Sequence, residues 1–159
     1  MKNTTLLFLI KKDHETITDI CLAMKKRGFG MGRWNGTGGK LEAEETVEQA
    51  VIRETQEEIS VIPQDIKKIA ELTFTFPHQP DWTQLCHVYF CTQWSGDPTE
   101  SEEMKPEWFS VDSIPYSTMW PDDILWLPLA LDHKLLKARF SFGKSDIILD
   151  QEITIIDSF

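Results

Sequence analysis

The order of apolar and polar positions predicts most elements of the chain. Thr4 to Ile10 and residues 17–23 are rich in apolar and β-branched side chains and predict two strands. Ala70, Leu72, Phe74 and Phe76 alternate with Glu71, Thr73 and Thr75, the period of a strand with one buried face. Leu85 to Trp94 predicts a more apolar strand, Glu107 to Val111 another, and Lys137 to Phe142 with Asp146 to Ile156 a closing pair around Gly143. Thr46, with Gln49 three residues on, forms a capping-box pattern that opens a helix running to about Ile59, before Pro63. Pro121 opens a second helix that reaches Leu131. The sum is a mixed sheet with two or three helices, an α+β or α/β sandwich.

Composition narrows the class. The chain has 159 residues, 41% of them apolar, and no repeat, Pro/Ser linker or low-complexity tract divides it, so residues 1–159 read as one domain. A net charge of -10 argues against nonspecific binding of nucleic acid or of an anionic membrane. The apolar run Leu6 to Ile10 is too short for a signal-peptide core or a membrane span, which predicts a soluble, cytoplasmic protein. Cys21, Cys86 and Cys91 form no CxxC pair and lie in apolar stretches, as small core residues of a reducing compartment do.

Charge is unevenly placed. Met24 to Leu41 holds no acid, five bases (Lys25, Lys26, Arg27, Arg33, Lys40) and six of the eight glycines. Glu42 to Glu58 then carries seven glutamates and the single base Arg53. Such a loop offers backbone amides and cationic charge to an anionic ligand, although a hairpin turn would also use glycines. On the predicted helix, Val47, Ala50 and Val51 begin a stripe that continues as Glu54, Glu57 and Glu58, while Ile52, Thr55 and Ile59 form a second face able to pack. Three like charges at this spacing repel one another unless a cation sits among them, and oxygen donors with room for water suit Mg²⁺ or Mn²⁺. Arg53 lies four residues before Glu57 and is placed to orient it.

Gly39, five residues, Glu45, seven residues, then Arg53-Glu54-Thr55-Gln56-Glu57-Glu58 resembles the Nudix box. Two positions depart from that pattern: Thr55 stands where an aliphatic residue is usual, and Ser60 where a glycine follows the helix. The likeness extends through residues 24–36, 100–109 and 119–123, and these segments resemble the MutT-homologue branch of the family, the 8-oxo-dGTP diphosphatases. That resemblance implies a Nudix α/β/α sandwich and Mg²⁺-dependent cleavage of oxidised purine nucleoside triphosphates to monophosphate and pyrophosphate. It implies metal ligands at Glu54, Glu57, Glu58 and Glu103 and at the carbonyl of Gly38. It also implies a base pocket drawn from Phe29, Asn35, Phe74, Trp120, Asp122 and Asp123, with Thr5 and Lys25 as further contacts. Pro77 to Gln84 departs too far from the family pattern for its contacts to be carried over.

Without the resemblance, Trp120-Pro121-Asp122-Asp123 reads as a helix start with acids in its first turn, and Glu103 as part of a solvated acidic loop. Glu54, Glu57, Glu58 and Glu103 are all candidates for the general base. His14, His78, His87 and His133 show no ligand spacing. The expected partner is a small nucleotide, acted on by a monomer. Rival readings are a Nudix hydrolase of nucleotide sugars, dinucleoside polyphosphates or methylated purine nucleotides, and a noncatalytic nucleotide-binding module. The second predicts a degenerate box, whereas Arg53, Glu54, Glu57 and Glu58 are all present.

Overall fold

The computed structural model describes residues 1–159. Strands β1 (Lys2–Asp13) and β2 (Thr16–Lys25) form a hairpin, and β3 is the two-residue strand Trp34–Asn35. Helix α1 spans Val47–Ile59 and is followed by β4 (Ile62–Pro63) and β5 (Lys67–Thr75). Next come β6 (Gln84–Cys91), β7 (Trp94–Ser95) and β8 (Met104–Ser110), then helix α2 (Asp123–Leu131), β9 (Leu135–Phe142) and β10 (Ile148–Ile156). The main sheet runs β10-β9-β5-β6-β1-β2-β3, with β8 also on β2, while β4 and β7 pair separately. It is mixed: β1 with β6 and β5 with β9 are parallel, and the other pairs are antiparallel.

Each helix covers one face. Val51 and Ile59 of α1 pack with Leu7, Leu9, Cys21, Tyr89 and Cys91. Trp126, Leu127 and Ala130 of α2 pack on the opposite face with Phe8, Ile10, Leu22, Val88 and Phe90. Neighbouring residues of β1 are therefore buried on opposite sides, which is why its sequence is a continuous apolar run rather than an alternation. The architecture is the expected α/β/α sandwich.

The sheet is split beside β1. Strand β2 pairs with β1 only between Ile10↔Ile20 and Asp13↔Thr16, then diverges toward β3 and β8. The Gly-rich loop fills the gap: Leu7 donates its amide to the Thr37 carbonyl (2.7 Å) and Thr5 donates to the Gly39 carbonyl (2.9 Å). This wedge sets Gly38 and Gly39 beside the last turns of α1.

Several boundaries differ from expectation. Helix α2 starts at Asp123, because Trp120 to Leu125 first wind through tight turns in which the Asp123 amide donates to the Trp120 carbonyl (3.0 Å) and the Leu125 amide to Asp122 (2.9 Å). Pro121 therefore precedes the helix instead of opening it. Strand β8 begins at Met104, three residues before the predicted start, and β10 at Ile148, after a turn in which Ser145 and Asp146 take positive φ. Ile52 is only half-buried; the packed face of α1 is Ala50, Val51, Thr55, Glu58 and Ile59.

Ser60 ends α1 in the left-handed conformation (φ 61°, ψ 32°), its amide donating to the Gln56 carbonyl. A serine there carries a Cβ penalty that glycine escapes, partly offset by glycine's greater freedom in the unfolded chain. Ser60→Gly is expected to stabilise the protein by about 0.5–1 kcal/mol, seen as a raised Tm with unchanged kcat. A tenfold rise in kcat at unchanged Tm would contradict this account.

Candidate active site

Arg53 organises the N-terminal side of the acidic cluster. Its guanidinium donates to both Glu45 oxygens (Nε 2.6 Å, Nη2 2.9 Å), to the Lys40 carbonyl (3.2 Å), to Glu54 (3.0 Å) and to Glu57 (3.3 Å). The expected contact with Glu57 is thus the longest of these hydrogen bonds, and the two-pronged bond to Glu45 is the dominant one. It holds the Glu45 carboxyl down to about 2. Arg53 is correspondingly shifted upward, first by Glu45.

The three helix glutamates differ in surroundings. Glu57 is exposed, Glu54 is half-buried, and Glu58 is 3% exposed, where its carboxylate accepts the Gly38 amide at 2.7 Å. Burial pushes Glu58 up to about 7, against the pull of the Gly38 bond and with further push from Glu54 and Glu103. Glu54 is raised chiefly by burial, opposed by Arg53. The loop glycines make this approach possible. A Cβ on Gly38 would lie 1.7 Å from the Thr5 carbonyl oxygen, and one on Gly39 would lie 2.6 Å from Glu54 Oε1. Thr55, the unusual residue of the box, is fully buried; its hydroxyl donates to the Val51 carbonyl (2.8 Å) and lies 2.9 Å from that of Thr37, tying helix to loop.

Glu103, on the loop before β8, pairs with Arg27 (3.4 Å) while its carbonyl accepts the Lys26 amide (2.8 Å), and its charge is felt at both Glu54 and Glu58. The acidic side chains are not drawn around a single point. Their chemistry nevertheless fits a hard divalent cation: carboxylate oxygens beside a glycine loop, with Glu54 raised by burial and by Glu57 and Glu103, and Glu58 by burial and by Glu54 and Glu103.

Beside this cluster opens a cavity of about 430 Å³. Thr5, Lys25, Phe29, Asn35, Phe74, Trp120, Asp122 and Asp123 all line it, as do Gly38 and Gly39. One cavity therefore connects the glycines that contact Glu54 and Glu58 with the paired aspartates.

Asp122 and Asp123 are 2% and 3% exposed, so they do not cap the helix toward solvent. Both accept from the Trp126 indole nitrogen, at 2.8 and 3.2 Å, and Asp123 Oδ2 is buried without a hydrogen-bond partner. Burial pushes Asp122 up to about 6. Asp123 is also raised well above the ordinary carboxyl range, by burial and by the Asp122 charge. Burial and like charge together disfavour ionisation of both carboxyls at once.

The loop bases do not act together as a cationic cradle. Lys26 pairs with Glu100, Arg27 with Glu102 and Glu103, and Arg33 with Asp146 (2.9 Å) while lying 4.0 Å over the Trp120 ring. Lys25 and Lys40 are the loop lysines that line the cavity. Sequence reasoning missed Trp126, the donor to both aspartates, whose i+4 and i+3 spacing on a helix was the available signal. It also missed Phe76, Trp82 and Phe142, which complete the aromatic lining.

A split mixed sheet between two helices, with an Arg-organised glutamate helix against a glycine loop, defines the Nudix class of protein. The NUDIX domain pattern matches residues 2–130, and the chain belongs to that family. It is 42% identical over 140 residues to the oxidized purine nucleoside triphosphate hydrolase of Mus musculus, covering 88% of this chain and 89% of the relative. Identity to the protein of the same name from Danio rerio is 41% over 138 residues, covering 87% and 88%. The crystal structure of the mutator MutT protein from Bacillus halodurans has the same fold, with a TM-score of 0.81 over 96% of this chain and 97% of its own at 22% identity. No helix is long and apolar enough to cross a membrane.

Proposed function

We propose that this protein hydrolyses oxidised purine nucleoside triphosphates such as 8-oxo-dGTP and 2-hydroxy-dATP to the nucleoside monophosphate and pyrophosphate. It would thereby clear damaged precursors from the cytoplasmic nucleotide pool as a monomer. The observation that carries this reading is the single cavity running from the Gly38/Gly39 edge of the glutamate cluster to the buried Asp122–Asp123 pair. Two mammalian and fish relatives of closely similar length carry the name of this activity.

Glu54, Glu57, Glu58 and Glu103, with the Gly38 carbonyl, are the groups that would hold Mg²⁺, or Mn²⁺ in its place. Such ions supply charge neutralisation at the phosphates and a lowered pKa for bound water. Arg53 keeps Glu54 and Glu57 in orientation through its anchor on Glu45. Lys25 and Lys40 offset phosphate charge in an otherwise acidic protein. Thr5 holds Gly39 in place, its amide donating to the Gly39 carbonyl (2.9 Å). Asn35 accepts the Gly36 amide (2.8 Å) through its side-chain oxygen, which leaves its amide N–H groups for a base. Phe74 and Trp120 wall the purine, and the proton-sharing aspartates read its edge.

The test is pyrophosphate release from 8-oxo-dGTP, 2-hydroxy-dATP, dGTP, a nucleotide sugar and a dinucleoside polyphosphate. The oxidised purines are expected to give the highest kcat/KM. Preference for the sugar or the dinucleoside substrate would overturn the reading, and binding without hydrolysis would make the protein a noncatalytic module.

A further inference from the structure

The segment joining β5 to β6, Pro77 to Gln84, is the part of the cavity wall that the family resemblance leaves unassigned. Pro80–Trp82 form one short helical turn, in which the Trp82 amide donates to the Gln79 carbonyl (3.0 Å) and the Thr83 amide to Pro80 (3.1 Å). The turn puts Trp82 in the lining of the cavity. Its ring centre lies 5.6 Å from that of Phe29 with the planes at 63°, and Phe29 lies 5.0 Å from Trp120 at 31°. Phe76 meets Trp82 edge-on at 5.5 Å, and His78 does so at 5.8 Å. The indole is thus steadied by two aromatic edges.

Trp82 is nevertheless 39% exposed and Phe29 54% exposed. Large aromatics left open beside a concave site are surface that a ligand covers. The chemistry of the rest of the cavity says which part of a ligand that is. Lys25 and Lys40 line the cavity with Gly38 and Gly39 and carry free charge, while Arg33, over the Trp120 ring, is neutralised by Asp146. On that side Trp82 packs on Phe29 and Phe29 on Trp120, a run of neutral rings. A triphosphate gains little from an uncharged indole, but a flat heteroaromatic ring gains stacking area.

We infer that Trp82 is a base-contacting residue that, together with Phe29, closes the open side of the pocket over the purine ring. This rests on the reading of the cavity as a purine site. Because every purine presents a π face, Trp82 adds affinity for the base without choosing among purines; the choice stays with the hydrogen-bonding edge at Asp122 and Asp123.

The test compares wild type, Trp82→Ala and Trp82→Phe on 8-oxo-dGTP and 2-hydroxy-dATP. Alongside turnover it measures inhibition by 8-oxo-dGMP, which has the base and one phosphate, and by inorganic triphosphate, which has no base. For Trp82→Ala, KM on both substrates and the inhibition constant of 8-oxo-dGMP are expected to rise about tenfold or more. The kcat should stay within about twofold and inhibition by inorganic triphosphate should not change, with Trp82→Phe close to wild type. Unchanged KM in Trp82→Ala, or an equal loss of triphosphate inhibition, would overturn the assignment. Trp82→Leu, apolar but without a ring face, repeats the measurement if the alanine variant does not fold. Failure of the wild type on oxidised purines is a separate outcome that overturns the functional reading. The Trp82 comparison then runs on whichever nucleotide the wild type hydrolyses, with its monophosphate as inhibitor and the same two outcomes.

Discussion

Glu58→Gln is expected to lower kcat by on the order of a thousandfold or more while leaving the fold intact. Glu58 accepts the Gly38 amide at 2.7 Å, and a glutamine side chain keeps an oxygen able to accept that bond. What disappears is the negative charge, the property a divalent cation needs from this position. The same charge is a liability without the cation, because burial and the charges of Glu54 and Glu103 raise the Glu58 carboxyl to about 7. With chelator present, the variant should therefore have a Tm equal to or above that of wild type. Steady-state kinetics at saturating Mg²⁺ and thermal unfolding in chelator are the two measurements. Turnover near wild type would remove Glu58 from the metal-holding set, and a large fall in Tm would make its role structural.

The box was legible because its spacing is fixed by geometry that sequence displays directly. Glycines at 38 and 39 are needed for close approach to Thr5 and Glu54, and Arg53 needs acids within one or two helical turns. The α/β/α arrangement was legible for a similar reason: a strand apolar at every position from Leu6 to Ile10 has to be covered on both faces. Burial differences within the acidic stripe were not. Glu57 and Glu58 are adjacent in sequence, yet one is exposed and the other buried, because the loop that covers Glu58 arrives from Gly38 through a split in the sheet. The fate of the loop bases was hidden likewise, since their partners Glu100, Glu103 and Asp146 lie on distant segments. The tight turns after Trp120 overrode the proline signal for a helix start and carried both aspartates inward to Trp126.

Substitution of the two aspartates is expected to divide the oxidised purines. Both carboxyls are raised by burial, Asp123 also by the Asp122 charge, and the pair is expected to share one proton. The proton is assigned to Asp123 because Asp122 accepts the shorter bond from Trp126 (2.8 against 3.2 Å) and is the better-supported carboxylate. An 8-oxoguanine edge offers an acceptor oxygen beside N–H donors, so it is matched by one neutral carboxyl that donates and one carboxylate that accepts. Asp123→Asn keeps a neutral donor and should cost 8-oxo-dGTP little. Asp122→Asn removes the ionised acceptor and should lower kcat/KM for 8-oxo-dGTP by about 10- to 100-fold, a contact of roughly 1–3 kcal/mol. The 2-hydroxyadenine edge has an amino group where guanine has its oxygen, and is served by moving the proton within the pair. Asp123→Asn blocks that exchange, so 2-hydroxy-dATP should lose more than 8-oxo-dGTP does in that variant. Stability gives an independent check on the ionisation. The folded-state pKa of Asp122, about 6, lies above its unfolded value of about 3.8, so the native protein retains a proton that the unfolded chain has released. The Asp122 contribution to stability should therefore be lost as pH rises from about 4 to about 6, and Asp122→Asn should reduce the slope there relative to wild type, leaving the parts due to Asp123 and Glu58. Mg²⁺ titrations of both variants should match wild type, because neither aspartate adjoins the glutamate cluster in the sequence or accepts a hydrogen bond from Gly38. Equal small losses on both substrates, with the pH slope unchanged, would return Asp122 and Asp123 to a purely structural role under Trp126.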